Sequence, residues 1–101
     1  MTWSASKRSV DVTESAGEFV AEMVAADRSH GRLGIRDPKI SEGKANAQLT
    51  VEPDMANGLG IAHGGFIFAL ADYVFACAAN SLVPGVATTD THMSFLAPAR
   101  V

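Results

Sequence analysis

The sequence predicts an α+β domain built from a few strands and one long buried helix. The first observation is the segment Phe66–Ala79, which is apolar nearly all round and contains one charged residue, Asp72. A helix of that composition is usually enclosed by other elements. The second observation is the segment Lys44–Val51, where apolar and polar residues alternate. That alternation is typical of a strand with one buried face.

The N-terminal part of the chain is expected to contain a mobile segment and a short helix. Residues 1–12 have no apolar pattern and are expected to be mobile, so the domain is placed at residues 13–101. Ser15 and Glu18 have the spacing of a capping box. Apolar residues then recur at helical spacing until Ser29-His30-Gly31.

Two strands and an irregular loop are predicted next. Leu33–Ile40 and Lys44–Val51 are expected to be strands joined by a turn at Ser41-Glu42-Gly43, and the second strand has a regular apolar face. That face consists of Ala45, Ala47, Leu49 and Val51. Residues 53–62 are rich in turn-forming residues and are expected to be a loop.

The long helix should begin near His63-Gly64-Gly65 and end at Asn80-Ser81, and Val86–Leu96 should form a further strand. A helix that is apolar on every side needs cover on every side, and the predicted elements supply too little of it. We therefore expect the sheet to continue beyond Val101 or a partner chain to complete it. On this view the domain is incomplete at its C-terminus.

Composition excludes several classes of function. The eight basic residues are scattered and the net charge is −3, which argues against nucleic acid as a partner. The longest apolar run is too short to span a membrane, and no secretory signal is visible at the start. The single cysteine, Cys77, fits a reducing, cytoplasmic setting. No His or Cys spacing indicates a metal site, and no cofactor is expected.

Gly64 and Gly65 open the long helix and are candidates for binding an oxyanion. The first N–H groups of a helix have no partner within it and lie at the positive end of its dipole. Glycine adds no side chain that would block access to them. The alternative is that the two glycines only allow a tight turn into the helix.

Asp72 is the strongest candidate for a catalytic group. It lies in the middle of a helix whose other residues prefer burial, and a buried unpaired carboxylate costs several kcal/mol. Such a residue is usually paired or kept for function. We therefore expect Asp72 to act as a nucleophile or a general base.

The spacing of these candidates predicts a site shared between two chains. Gly64 and Asp72 are eight residues apart, so the helical rise separates them by about 12 Å. One helix cannot place both around one ester. The carboxylate should therefore come from a second, antiparallel copy of the helix.

Residues 57–72, from Asn57-Gly58-Leu59-Gly60 to Asp72, resemble the signature of the hotdog-fold acyl-CoA thioesterases of the phenylacetic acid degradation type. The resemblance extends more loosely from about Leu33 to Pro98, and the last long strands of that family have no counterpart. It implies an antiparallel sheet wrapped around the central helix and a homodimer or dimer of dimers. It also implies hydrolysis of acyl-CoA thioesters, with small aromatic acyl groups favoured.

The resemblance also assigns site residues. It makes Asp72 the nucleophile or general base and Gly64, with Gly65, the oxyanion donor. Asn57 and His63 match positions that line the site, although Asn57 would also suit a turn and His63 could cap the helix. Thr88 or Thr89 falls near a position where a hydroxyl group helps to hold water in some relatives.

Two other functions remain open on the sequence alone. The domain could bind acyl-CoA without catalysis, but Asp72 argues against that because a binding module gains nothing from an isolated carboxylate. It could also be a hotdog hydratase or dehydratase, a reaction that needs a catalytic histidine such as His63.

Overall fold

The computed structural model describes residues 1–6 and 14–101 and contains a three-stranded antiparallel sheet packed on a long helix. The elements in chain order are the strand β1 (Thr2–Ser6), the helices α1 (Glu14–Ala26) and α2 (Ser29–Leu33), the strands β2 (Ile35–Ser41) and β3 (Lys44–Leu49), a 3-10 turn (Pro53–Met55) and the helix α3 (Gly64–Asn80). The α+β prediction is confirmed.

The strand β3 lies in the middle of the sheet, between β1 and β2. Its residues alternate between buried and more exposed, and Ala47 and Leu49 are completely buried. The apolar face predicted for this strand is therefore correct. That face packs against α3, whose Leu70, Val74 and Cys77 complete the centre of the core.

The helix α3 begins and ends where the sequence predicts. It ends at Asn80, and Ser81 then ties the helix end to the turn between β2 and β3. The Ser81 hydroxyl accepts a hydrogen bond from the Gly43 N–H at 2.8 Å and donates one to the Ala78 carbonyl at 2.7 Å. Gly43 has a φ of 73°, which favours glycine at this turn.

Two predictions about strands are wrong. Residues 2–6, expected to be mobile, form β1 and pair with residues 44–48 of β3; residues 7–12 lie outside the described part. Residues 86–96, expected to form a strand, adopt no regular secondary structure. They have β-forming residues, but among residues 1–6 and 14–101 no neighbouring strand exchanges a ladder of hydrogen bonds with them. β propensity alone does not hold a strand.

The predicted helix pattern before β2 is interrupted. The helix α1 starts at Glu14, one residue before the predicted cap, and ends at Ala26. The Asp27 carboxylate then accepts hydrogen bonds from the N–H and the hydroxyl of Ser29, at 2.8 and 2.6 Å. These bonds start the separate short helix α2.

One face of α3 is left uncovered in the single chain. Phe68 is 37% exposed and Phe75 is 50% exposed, and both lie on the face of the helix that carries Asp72. The prediction that the chain alone covers this helix only in part agrees with these exposures. Among the described residues, no helix is long and apolar enough to cross a membrane.

Candidate active site

The N-terminus of α3 presents two backbone N–H groups without acceptors. The Phe66 N–H donates to the His63 carbonyl at 3.1 Å, whereas those of Gly64 and Gly65 have no acceptor among residues 1–6 and 14–101. A Cβ added at Gly65 would meet nothing within 4 Å. These two groups are therefore available to an anion or a carbonyl oxygen.

Gly64 also has a packing role that the sequence did not indicate. A Cβ added at Gly64 would lie 2.9 Å from Cζ of Phe95, which is closer than real contacts allow. The Phe95 ring, itself 57% exposed, therefore rests on the first turn of α3. No local pattern predicts a contact between residues 31 positions apart, so sequence reasoning missed it.

Asn57 organises the loop that leads into α3. Its side-chain carbonyl accepts hydrogen bonds from the N–H groups of Leu59 at 2.8 Å and Ile61 at 3.4 Å. Its backbone N–H donates to the Ile61 carbonyl at 2.7 Å. The turn reading of Asn57 is thus correct, and the Nδ2 group of this half-buried residue has no partner among the described residues.

His63 precedes α3 and does not cap it. Its side chain is exposed and makes no capping hydrogen bond, while its backbone N–H donates to the Met55 carbonyl at 2.9 Å. The loop is also tied to the end of the chain, because the Ala62 N–H donates to the Ala99 carbonyl at 2.8 Å. The capping alternative for His63 is therefore wrong.

Asp72 lies in an open groove on the uncovered face of α3. The groove is formed by the helix and the irregular segment after it, and Thr88 and Thr89 lie beside Asp72 there. Its other contributors include Phe68, Phe75, Thr91 and His92. Asp72 is exposed, so the prediction of a buried carboxylate is wrong for the single chain. The reason is that the described residues cover this face only in part.

The candidate residues form two groups at different heights along α3. Asn57, His63, Gly64 and Gly65 lie at or just before its N-terminus, and no described residue before Phe68 lines the Asp72 groove. The eight-residue interval corresponds to about 12 Å along a continuous helix. The helix α3 has no break over this interval, so a single chain keeps the two groups apart.

Metal ligands are not grouped in the described part of the chain. No three His, Cys, Asp or Glu side chains lie close enough there to hold a metal ion. Cys77, the single cysteine, is 1% exposed and packs in the core. Burial raises the pKa of its thiol.

Comparison with known proteins identifies the relatives of this chain. Residues 59–101 match the sequence profile of the thioesterase superfamily. A putative esterase from Archaeoglobus fulgidus is 37% identical over 59 residues, which are 58% of this chain and 38% of that protein. Acyl-coenzyme A thioesterase PaaI from Escherichia coli is 39% identical over 87 residues, which are 86% of this chain and 62% of that protein.

The fold is similar to a solved structure of the same E. coli protein, described as PaaI from the phenylacetic acid degradation operon. The TM-score is 0.75 at 34% sequence identity, covering 89% of this chain and 65% of that one. The chain thus spans less than two thirds of the length of these relatives. Together, the match to the profile and the similarity in fold confirm the family resemblance: the chain belongs to the thioesterase superfamily and has the hotdog fold.

Proposed function

We propose that the complete protein hydrolyses acyl-CoA thioesters at a site shared by two chains. The observation that carries this proposal is the arrangement along α3, with free N–H groups at Gly64 and Gly65 and a carboxylate at Asp72 about 12 Å away. Two antiparallel copies of α3 would bring the glycines of one chain to the aspartate of the other. The substrate class is supported by the similarity to PaaI, which is named an acyl-coenzyme A thioesterase.

In this proposal the N-terminus of α3 binds the thioester carbonyl. The Gly64 N–H, with that of Gly65, donates to the carbonyl oxygen and stabilises the negative charge that develops on it. Asn57 contributes its Nδ2 group, because the turn already fixes its carbonyl and thereby the direction of its amide. His63 is exposed next to these donors in the chain and would contact the bound substrate.

The partner's copy of the Asp72 groove supplies the attacking group. Asp72 either attacks the carbonyl carbon itself or takes a proton from a water molecule that attacks. In both cases the C–S bond breaks, CoA leaves as the thiolate and takes up a proton, and water provides the oxygen of the free acid. Thr88 and Thr89 line the same groove as Asp72 and would hold that water by their hydroxyl groups.

The uncovered face of α3 supports a homodimer, alone or paired into a tetramer. Phe68 and Phe75 flank Asp72 and are substantially exposed in the single chain. An exposed apolar patch around a charged residue is typical of an interaction site. Covering it with a second chain would exclude water from the carboxylate and strengthen its interactions with the thioester.

A pair of substitutions at Gly64 tests the oxyanion role. Gly64→Pro removes the N–H at the first helical position, where proline is tolerated, and the ψ of 139° at His63 is compatible with it. Gly64→Ala keeps the N–H group but adds a Cβ atom against Phe95, as Gly64→Pro also does. We expect Gly64→Pro to lower kcat by about 100- to 1000-fold relative to Gly64→Ala. Equal activity of the two folded variants would exclude this N–H as a donor.

A substrate panel tests the reaction itself. Hydrolysis of acetyl-, phenylacetyl- and decanoyl-CoA is measured beside hydration of an enoyl-CoA. We expect hydrolysis, with phenylacetyl-CoA favoured by the similarity to a protein from the phenylacetic acid degradation operon. Hydration without hydrolysis would indicate a hydratase. Binding of acyl-CoA without turnover would indicate a sensor module.

A further inference from the structure

His92 lines the Asp72 groove together with the helix α3, but it belongs to the irregular segment that follows the helix. Its side chain is exposed, and its Nε2 atom lies 3.3 Å from the hydroxyl oxygen of Ser94. This contact leaves the Nδ1 atom without a partner among the described residues. One ring nitrogen is therefore held by Ser94, and the other is open to a bound molecule.

Asn80 holds the start of the segment that carries His92. This residue is 2% exposed, and its Nδ2 group donates to the carbonyls of Ala76 and Val86 at 2.9 and 3.0 Å. Its Oδ1 atom accepts from the N–H groups of Gly85 and Val86 at 2.8 and 3.1 Å. The side chain thus uses its whole hydrogen-bonding capacity. These bonds attach the segment to the C-terminal end of α3.

Phe95 holds the other end of the same segment. Its ring lies against Gly64 in the first turn of α3. The chain between Val86 and Phe95 therefore runs back along the helix and is attached at both of its ends. This arrangement places His92 in the groove that contains Asp72, although the segment has no regular secondary structure.

The groove combines a carboxylate from the helix with an imidazole from the segment. Among the described residues no ion pair joins Asp72 to His92, and the space that both line has a volume of about 170 Å³. A cavity of about 150 Å³ holds benzene, so a thioester group, which is smaller, fits there. Asp90 also lines the groove, and His92 is the basic side chain among the described residues that do.

We propose that His92 is a catalytic residue that donates a proton to the leaving sulfur atom. This role rests on the thioester hydrolysis proposed above. Histidine is the side chain best suited to give and take protons near neutral pH. The C–S bond breaks, its electron pair goes to sulfur, and the Nδ1–H of the imidazolium transfers its proton to that sulfur.

The imidazolium is restored by the water molecule that the reaction consumes. If Asp72 acts as the base, it takes one proton from the attacking water and passes it to His92 through solvent. If Asp72 is the nucleophile, neutral His92 takes that proton when water opens the anhydride. In both cases the products are the free acid and the CoA thiol, and both side chains return to their starting forms.

Two thioesters of the same acid test this role. In phenylacetyl-CoA the leaving thiolate is more basic than in the S-nitrophenyl thioester of phenylacetic acid, whose thiolate leaves without a proton. His92→Asn should lower kcat for phenylacetyl-CoA by about 100-fold or more, but for the nitrophenyl thioester by less than about threefold. An equal loss with both thioesters, or no loss with phenylacetyl-CoA, would overturn the proposal.

The control is His30→Asn, the same change in α2 and outside the groove. It should leave the ratio of the two substrates unchanged, and circular dichroism checks that both variants fold.

Added imidazole gives a second measurement that does not depend on His92→Asn. His92→Gly removes an exposed side chain from a segment without regular secondary structure, so the risk to folding is small. Imidazole in solution should raise kcat of His92→Gly for phenylacetyl-CoA at least about tenfold. It should not raise that of Asp72→Asn, which corrects for direct reaction of imidazole with the thioester. No increase in His92→Gly beyond that correction would exclude the proton transfer.

The wild-type rates separate this proposal from the proposed function. A wild-type protein that hydrolyses neither thioester would refute the proposed function and the role of His92 with it. A wild-type protein that hydrolyses both, with His92→Asn slowing both equally, would leave the reaction standing and exclude His92 as the proton donor.

Discussion

Asp72 is exposed in the single chain, yet its neighbours are not those of an ordinary surface carboxylate. Phe68 and Phe75 lie on the same side of α3 and are also exposed. Two threonines, Thr88 and Thr89, line the same groove as its side chain. A solvated helix face would carry several charged side chains, whereas this one carries a single acid among apolar residues. The loop that lines the other side of the groove contributes Asp90 and His92 besides the threonines. That combination favours a reacting group over a solvated surface residue.

Asp72→Asn replaces one carboxylate oxygen by an amide nitrogen and so tests whether Asp72 takes part in the proposed reaction. We expect Asp72→Asn to lower turnover by about 100-fold or more, because the amide keeps the volume but neither attacks a carbonyl nor accepts a proton from water. The fold should be retained since the residue is exposed, and circular dichroism checks this. Asp54→Asn, at an exposed position in the 3-10 turn, is the matched control. Turnover of Asp72→Asn within a few-fold of Asp54→Asn would remove Asp72 from the mechanism.

At the scale of elements, the sequence predicted those whose pattern is local. The alternation in Lys44–Val51 gave the buried face of β3, and the apolar run after Gly65 gave α3. The strand β1 was missed because Thr2–Ser6 has no apolar alternation and is held by pairing with a distant strand. Residues 86–96 were wrongly assigned because a strand needs a partner that propensity does not report.

In the candidate site, too, local features could be predicted from the sequence and features that depend on distant contacts could not. The free N–H groups of Gly64 and Gly65 follow from their place at a helix start, and the structure agrees. The contact of Phe95 with Gly64 and the hydrogen bonds of Asn80 to Gly85 and Val86 depend on how the chain folds back on α3. The exposure of Asp72 was not predictable from the apolar pattern of α3. That pattern indicates which helix faces favour burial, but it does not indicate which other residues pack against them.

The Asn80 side chain joins α3 to the following loop by hydrogen bonds. Its substitution should measure how much these bonds contribute to the stability of the fold. Asn80→Asp keeps the acceptors for Gly85 and Val86 but leaves the carbonyls of Ala76 and Val86 without their donor. An unsatisfied buried polar group costs about 1–3 kcal/mol, so we expect a loss of at least 1 kcal/mol in the free energy of unfolding. Urea denaturation measures it. Asn46→Asp, at a half-buried position in β3, is the control and should cost clearly less.

Across the chain as a whole, the two groups of residues in the proposed site lie on different parts of one helix. The proposed N–H donors are at the N-terminus of α3, while Asp72 lies about two turns further along it. The face that joins them is apolar and open. A second copy of the chain in antiparallel orientation would close that face and complete two equivalent sites, as two-fold symmetry requires.

Mixing two inactive variants tests this shared site most directly. Gly64→Pro and Asp72→Asn are each folded, dissociated by dilution and reconcentrated together, and subunit exchange is confirmed by mass labelling. A mixed dimer then contains one site with an intact Gly64 and an intact Asp72, so we expect about half the activity of a wild-type dimer from each mixed dimer. Mixed dimers that form and show no more hydrolysis than either parent, or a stable monomer that hydrolyses thioesters, would contradict a site built from two chains.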